Sequence, residues 1–379
     1  MTRKIPFGKP VFSGGELDRI KTVLDSGILT HGKLVKEFED IFAKFIGTKY
    51  AIAVSSCTAG LHLSLMALGI KPGDEVIVPA MTHTATAHVV EFCGAKPIFA
   101  DISDATGNID PDQIVKKIGP KTRAIEVVHF LGLPCDMAKI NEIARQKDIA
   151  VIEDCALALG ATYKGKKAGA LSLTGSFSFY PVKHIATAEG GMLTTDDEKI
   201  ALSVSRQRAF GIDKSLGERK VPGVYDVVCI GNNYRMSELQ AVLGISQMKD
   251  FEMMNRQRKQ NYKRLREGLD GLKGIQVFQE QGSDSIGADY CLNIIINNES
   301  SLSRDEFIFK LNGLGVGTSI YYATPVPLLT CYRDKYGYKP GDFPNAEFLA
   351  NNSLALPVGQ HLSEDDIDYI VKTIKEIVA

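Results

Sequence analysis

Between residues 51 and 191, short continuous apolar runs alternate with helical patterns, and this alternation restricts the fold more than any other feature of the chain. AIAVSS is followed by TAGLHLSLMALG, and EVIVPA by a helical stretch through HVVEFCG. KPIFADI, AIEVVHF, the helix KINEIARQ, IAVIEDC and GSFSFY come next. Strands apolar on both faces are buried on both, so these segments predict a mainly parallel sheet with helices on each side. In such sheets ligands gather beyond the carboxyl ends of the strands. The polar residues just after each apolar run are therefore the ones to inspect for chemistry.

A chain of 379 residues exceeds the size of one ordinary core, which predicts two lobes. Ahead of the alternating region, KLVKEFEDIFAKFIG places Leu34, Phe38, Ile41, Phe42 and Phe45 at helical spacing, preceded by a looser arm. Near Asn233 the pattern changes to a long helix, MSELQAVLGISQMKDFEMMNRQRKQNYKRLREGL, whose charged second half reads as a partly solvated connector. Beyond it, IQVFQE, CLNIIIN and VGTSIYY read as strands, and SRDEFIFKLNGLG and SEDDIDYIVKTIKEIV as helices. Ser363 and Asp366 are placed for a capping box. We expect a large domain with its N-terminal arm over 1–245 and a smaller α+β domain over 246–379.

Lys and Arg total 44 against 45 Asp and Glu, a formal charge of -1, which gives no electrostatic case for nucleic acid or an anionic membrane. The first residues hold no apolar run of signal-peptide length and no stretch is long enough to span a bilayer, so a cytoplasmic location is expected. The seven cysteines are scattered and never form a C-x-x-C pair. That pattern favours reduced thiols over disulfides, zinc or an iron–sulfur cluster.

Three strand-end junctions carry chemistry. Ser55, Ser56, Cys57 and Thr58 open a helix, where free N–H groups and the helix dipole suit a phosphate; an ordinary Ser/Thr N-cap is the simpler alternative. Glu153 and Asp154 end IAVI, where a carboxylate can ligate a metal, pair with a cation or cap the next helix. Lys183 stands in GSFSFYPVKHIATAEGGML, an apolar setting that favours a desolvated, nucleophilic amine. A phosphate anchor, a carboxylate to keep a pyridine nitrogen protonated and a lysine to condense with an aldehyde are together what pyridoxal phosphate requires.

The chain resembles the DegT/DnrJ/EryC1/StrS sugar aminotransferases, within the fold-type I pyridoxal-phosphate enzymes, over nearly its whole length. The marks are LTHGKLVKEFE, AVSSCTAGLHLSLMALGIKPGDEVIVPA, THTATAHVVEFCGAKPIFADI, VVHFLGLPCDM, VIEDCALALGA, GSFSFYPVKHIATAEGGM and GNNYRMSELQAVLG. The resemblance implies an aspartate-aminotransferase-like α/β fold, with a seven-stranded, mainly parallel sheet and a smaller α+β C-terminal domain. It implies that Lys183 bonds the cofactor and shuttles the proton, and that Asp154 partners the pyridinium nitrogen. Ser56, Cys57, Thr58 and Ser178 match phosphate-contact positions, Cys57 through its backbone N–H.

By the same resemblance, Asn233 reaches the phosphate of a neighbouring subunit, which implies a homodimer with shared sites. His83 falls where relatives stack an aromatic on the cofactor ring; a core or capping histidine is its plainer reading. His184, beside the lysine, is given no catalytic role, because adjacent residues of an extended segment point apart. Leu157 stands where relatives often carry Gln or His, so a hydrophobic wall replaces a polar contact there. The implied reaction moves an amino group from L-glutamate to a sugar carbonyl, for lipopolysaccharide or another surface glycan. The sugar is a nucleotide-linked keto sugar, or a C8-oxidised octulosonate converted to 8-amino-3,8-dideoxy-octulosonate. A sister dehydratase would carry His in place of Lys183, and a non-catalytic regulator would have no need of Lys183, Asp154 and the 55–58 turn together.

Overall fold

Seven strands build the central sheet: β1 (Tyr50–Val54), β2 (Glu75–Pro79), β3 (Lys96–Ala100), β4 (Thr122–Val128), β5 (Ala150–Asp154), β6 (Thr174–Ser178) and β7 (Gly191–Thr195), in the spatial order β1-β7-β6-β5-β4-β2-β3. The computed structural model describes residues 3–214, 221, 223–278 and 282–378. Six strands run in one direction, and β7 alone opposes its neighbours β1 and β6. The carboxyl ends of the six therefore share one edge, and Gly191, at the start of β7, sits on that edge opposite Val54 and Ser178.

The sequence reading omitted β7. Its residues, GMLTT, lack a continuous apolar run, yet all five are buried because Thr194 and Thr195 donate their hydroxyls to the carbonyls of Gly169 (2.7 Å) and Leu173 (2.8 Å). A second correction concerns VGTSIYY, which is no strand. Val316 bridges Ile5 and Ser319 bridges Ala355, after which the segment carries Tyr321 and Tyr322 to the functional edge.

Helix Glu238–Leu269 begins with a reciprocal cap between Ser237 and Gln240 and spans roughly 48 Å at 1.5 Å per residue. Its first half packs Ala241, Ile245, Met248, Phe251 and Met254 into the large-sheet core, and Leu265 and Leu269 enter a second core. The expected boundary at 245 falls inside this helix. Its charged half is less solvated than its composition implies. Arg258 is buried and donates to the Tyr290 carbonyl at 2.8 Å, and buried Asn261 donates to that of Gly359 at 3.1 Å.

The second core lies between an antiparallel sheet, β8 (Ile275–Val277), β9 (Leu292–Ile296) and β10 (Ser353–Leu356), and helices Arg304–Gly313 and Glu364–Val378. Gln279 and Glu280, in the expected strand IQVFQE, lie outside the described residues. Ser363 and Asp366 cap the last helix reciprocally: the Ser363 amide donates to Asp366 at 3.0 Å and the Asp366 amide to the Ser363 hydroxyl at 3.2 Å. All seven cysteines are free thiols. Among the described residues, no helix is long and apolar enough to cross a membrane.

Candidate active site

A cavity of about 420 Å³ opens at the carboxyl edge of the sheet, lined by Ser56, Cys57, Thr58, His83, Asp154, Ser178 and Lys183 together with Leu157, Tyr180, Tyr321 and Tyr322. Residues as far apart as Ser56, His83, Asp154 and Ser178 meet there because each ends or follows a strand that ends at that edge; Tyr321 and Tyr322 come from the small domain.

The 56–58 turn opens helix Cys57–Ala67. Ser56 is its N-cap, accepting the Ala59 amide at 3.1 Å, which satisfies one orphan donor of the first turn. The Cys57 and Thr58 amides have no intrahelical acceptor and lie at the positive end of the helix, where an anion is favoured. Gly191 packs directly on this turn. A Cβ there would lie 2.6 Å from the Cys57 nitrogen, so only glycine lets β7 approach so closely. The Cys57 thiol is buried, 3.3 Å from the Ser176 carbonyl and 3.7 Å from Asp154. Burial and the Asp154 charge push its pKa well up, so it packs as a neutral thiol.

The adjacent acids at the end of β5 point to opposite faces, as strand geometry requires. Buried Glu153 is consumed by structure, accepting the amides of Gly169 (2.8 Å), Leu171 (2.9 Å) and Ser172 (2.9 Å) and bonding the His129 ring at 2.9 Å. His129 Nδ1 accepts the Cys135 amide, so its Nε2 carries the proton toward Glu153. Asp154 faces the cavity. Its Oδ1 accepts the Ala156 amide at 3.0 Å and its Oδ2 the Thr86 hydroxyl at 3.0 Å, and Thr86 in turn meets Thr82 at 2.8 Å.

Lys183 projects from a turn closed by its own amide on the Tyr180 carbonyl, 2.9 Å. Among the described residues no carboxylate lies within ion-pairing distance of its amine, which sits 5.3 Å from the centroid of the Tyr290 ring. Burial lowers its pKa, opposed by the nearby Cys57, Asp154 and Cys291. The neutral, nucleophilic amine is therefore more accessible than in a surface lysine.

His83 does two things the sequence left as alternatives. Its Nδ1 caps helix Thr84–Phe92 by accepting the Ala85 amide at 3.1 Å, and its ring lines the cavity, edge-on to Tyr322. Burial lowers its pKa. His184 turns away from the cavity, with Nε2 2.8 Å from the Ala288 carbonyl. Leu157 is a buried apolar part of the wall. Asn233 is exposed, bridged to Ala209, and lines no part of this cavity.

The donor set fits pyridoxal phosphate. Helix-terminal amides suit an anion, a buried carboxylate with spare lone pairs suits a cation, and an amine without an ion-pair partner among the described residues stands on the same cavity. The sequence model of the DegT/DnrJ/EryC1/StrS aminotransferase family matches residues 13–375. The chain belongs to that family. It is 36% identical to the spore coat polysaccharide biosynthesis protein SpsC of Bacillus subtilis, over 99% of this chain and 97% of that one. It is 35% identical to GDP-perosamine synthase of Caulobacter vibrioides, over 99% and 98%. Spr1654 of Streptococcus pneumoniae, solved in a PLP form, superposes with a TM-score of 0.93 at 30% identity, covering 99% of each chain. With this family comes the activity: the chain is a pyridoxal-phosphate-dependent sugar aminotransferase.

Tyr180, Tyr321, Tyr322 and Thr86 are site residues that sequence reasoning missed. Thr82 and Thr86, one helical turn apart in THTATAHVV, carried a usable signal.

Proposed function

We propose that the enzyme moves an amino group from L-glutamate to the carbonyl of a nucleotide-linked keto sugar, toward an amino sugar of a surface glycan. The observation that carries this reading is the convergence of Lys183, Asp154 and the 56–58 turn on one cavity. Pyridoxal phosphate, when bound, supplies an aldehyde that takes up the amino group and a ring that accepts electrons. The Cys57 and Thr58 amides and the Ser56 and Ser178 hydroxyls would hold its phosphate, and Asp154, oriented by Thr86 and Ala156, would keep its ring nitrogen protonated. Lys183 would supply the amine that bonds the aldehyde and the base that moves the proton. His83 and Leu157 bound the ring. The similarity to GDP-perosamine synthase supports a nucleotide-linked acceptor. A panel of nucleotide keto sugars and a C8-oxidised octulosonate, each with glutamate, tests the acceptor; amination of the octulosonate alone would reverse the choice.

The working unit in this reading is a homodimer. Asn233 is exposed beside a segment that displays Val224, Tyr225, Val227, Val228 and Ile230, the last 86% exposed. A second copy of the chain covers these side chains and brings Asn233 to the neighbour's phosphate. Mixing inactive Lys183→Ala chains with Asn233→Ala chains should then restore activity to up to one site per mixed dimer. An active monomer in sedimentation at assay concentration would refute the shared site.

A further inference from the structure

Glu126 has no part in the roles given above to Lys183, Asp154 and the 56–58 turn. It lies within β4, whose AIEVVHF run is otherwise apolar until His129, and it is completely buried. Among the described residues, neither of its carboxyl oxygens has a hydrogen-bond partner. A buried carboxyl without partners is rare and costly, and it calls for an explanation beyond packing.

Its place in the sheet suggests one. In the parallel pair β4–β5, Glu126 is in register with Ile152 and Val128 with Asp154, so Glu126 and Asp154 project from the same face, one diagonal step apart. The titratable groups around it are Asp154 on β5, Cys57 at the start of its helix and Cys93 just after helix Thr84–Phe92; each interacts electrostatically with Glu126. Both cysteines are held as neutral thiols, so among the described residues the charge set against Glu126 is that of Asp154. Asp154 has an amide and a hydroxyl to support its charge, whereas Glu126 has neither. Two carboxyls in a dry space do not both ionise, and the proton goes to the unsupported one.

We propose that Glu126 is a positioning carboxyl of the cofactor site, neutral when the site is empty and releasing its proton when a protonated pyridine docks on Asp154. The inference rests on the assignment of Asp154 to the ring nitrogen. Burial first and the Asp154 charge second hold the proton on Glu126, and the arriving cation cancels the second. To that extent the Glu126 O–H bond breaks, its proton leaves to solvent, its electron pair stays on the carboxylate, and the one cation then balances two negative charges. Burial, and after it the Asp154 charge, raise the Glu126 pKa well above its ordinary 4.5, which leaves a proton to release.

The test uses pyridoxamine phosphate, which binds without a bond to Lys183. Calorimetric titration in buffers of different ionisation enthalpy counts protons exchanged on binding. Wild type should release a fraction of a proton more than Glu126→Gln on binding, and the variant should bind about tenfold more weakly, both differences shrinking as the pH is lowered. Equal proton counts and equal pH dependence in the two proteins would overturn the proposal.

Thermal melting of the cofactor-free proteins gives an independent check. The unfolded chain ionises Glu126 above about pH 4.5 while the folded chain keeps it neutral, so wild type loses stability relative to Glu126→Gln as pH rises from 4 to 7. A melting difference that does not grow over that range contradicts a neutral buried acid. Glu126→Met serves both measurements if the glutamine variant does not fold. Failure of the underlying assignment looks different, because Asp154→Asn would then bind pyridoxamine phosphate as tightly as wild type.

Discussion

Lys183→Ala should lose transamination by at least about a thousandfold, because the substitution removes both the amine that bonds the cofactor and the base that moves the proton. Stability should change little. The amine is desolvated and has no ion-pair partner among the described residues, so deleting it leaves no buried charge behind. Steady-state rates and melting curves measure the two effects separately. Borohydride reduction of the wild type, followed by peptide mapping, should place the cofactor on the peptide containing Lys183. Cofactor trapped on another lysine, or turnover within tenfold of wild type in Lys183→Ala, would displace the assignment.

Asp154→Asn should reduce turnover by about a hundredfold or more, since a neutral amide no longer favours the protonated pyridine that makes the ring an electron sink. The amide keeps the volume of the carboxyl and still accepts from Ala156 or Thr86, which limits the stability loss to about 1–2 kcal/mol. The discriminating readout is the ratio of the two effects, with rate falling far more than stability. Near-normal turnover in the variant would mean that another group protonates the ring. Thr86→Val is the companion test of orientation. It removes one donor to Asp154 without touching the charge, and its rate loss should be smaller than that of Asp154→Asn.

The parts of the fold and site that could be read in advance share a physical origin. Strands buried on both faces write continuous apolar runs, and the residues closing those runs (Ser56, His83, Asp154 and Ser178) are delivered to one edge by the parallel topology. What escaped reading lacks that signature. β7 is short and ends in two threonines whose buried hydroxyls are satisfied by carbonyls of other segments, a fact of tertiary structure. Tyr321 and Tyr322 arrive from beyond residue 300, carried by a segment tied down through single bridges. The buried role of Arg258 depends on carbonyls more than thirty residues away. Glu126 was hidden inside an apolar run, where one acid reads as a solvent-facing residue until its neighbours are known. For Asn233, a single chain gives its exposure and its apolar surroundings, and its partner group lies on another molecule in the proposed dimer.

The central claim is that this cavity transfers nitrogen, and the two half-reactions test it most directly. With ¹⁵N-labelled glutamate and no sugar, the bound cofactor should change its absorbance from the pyridoxal to the pyridoxamine form, with release of one 2-oxoglutarate per site. Addition of a nucleotide keto sugar should reverse the spectrum and yield a sugar carrying the ¹⁵N label by mass spectrometry. A sugar product that has lost water without gaining the label, or a cofactor spectrum that glutamate leaves unchanged, would contradict the account.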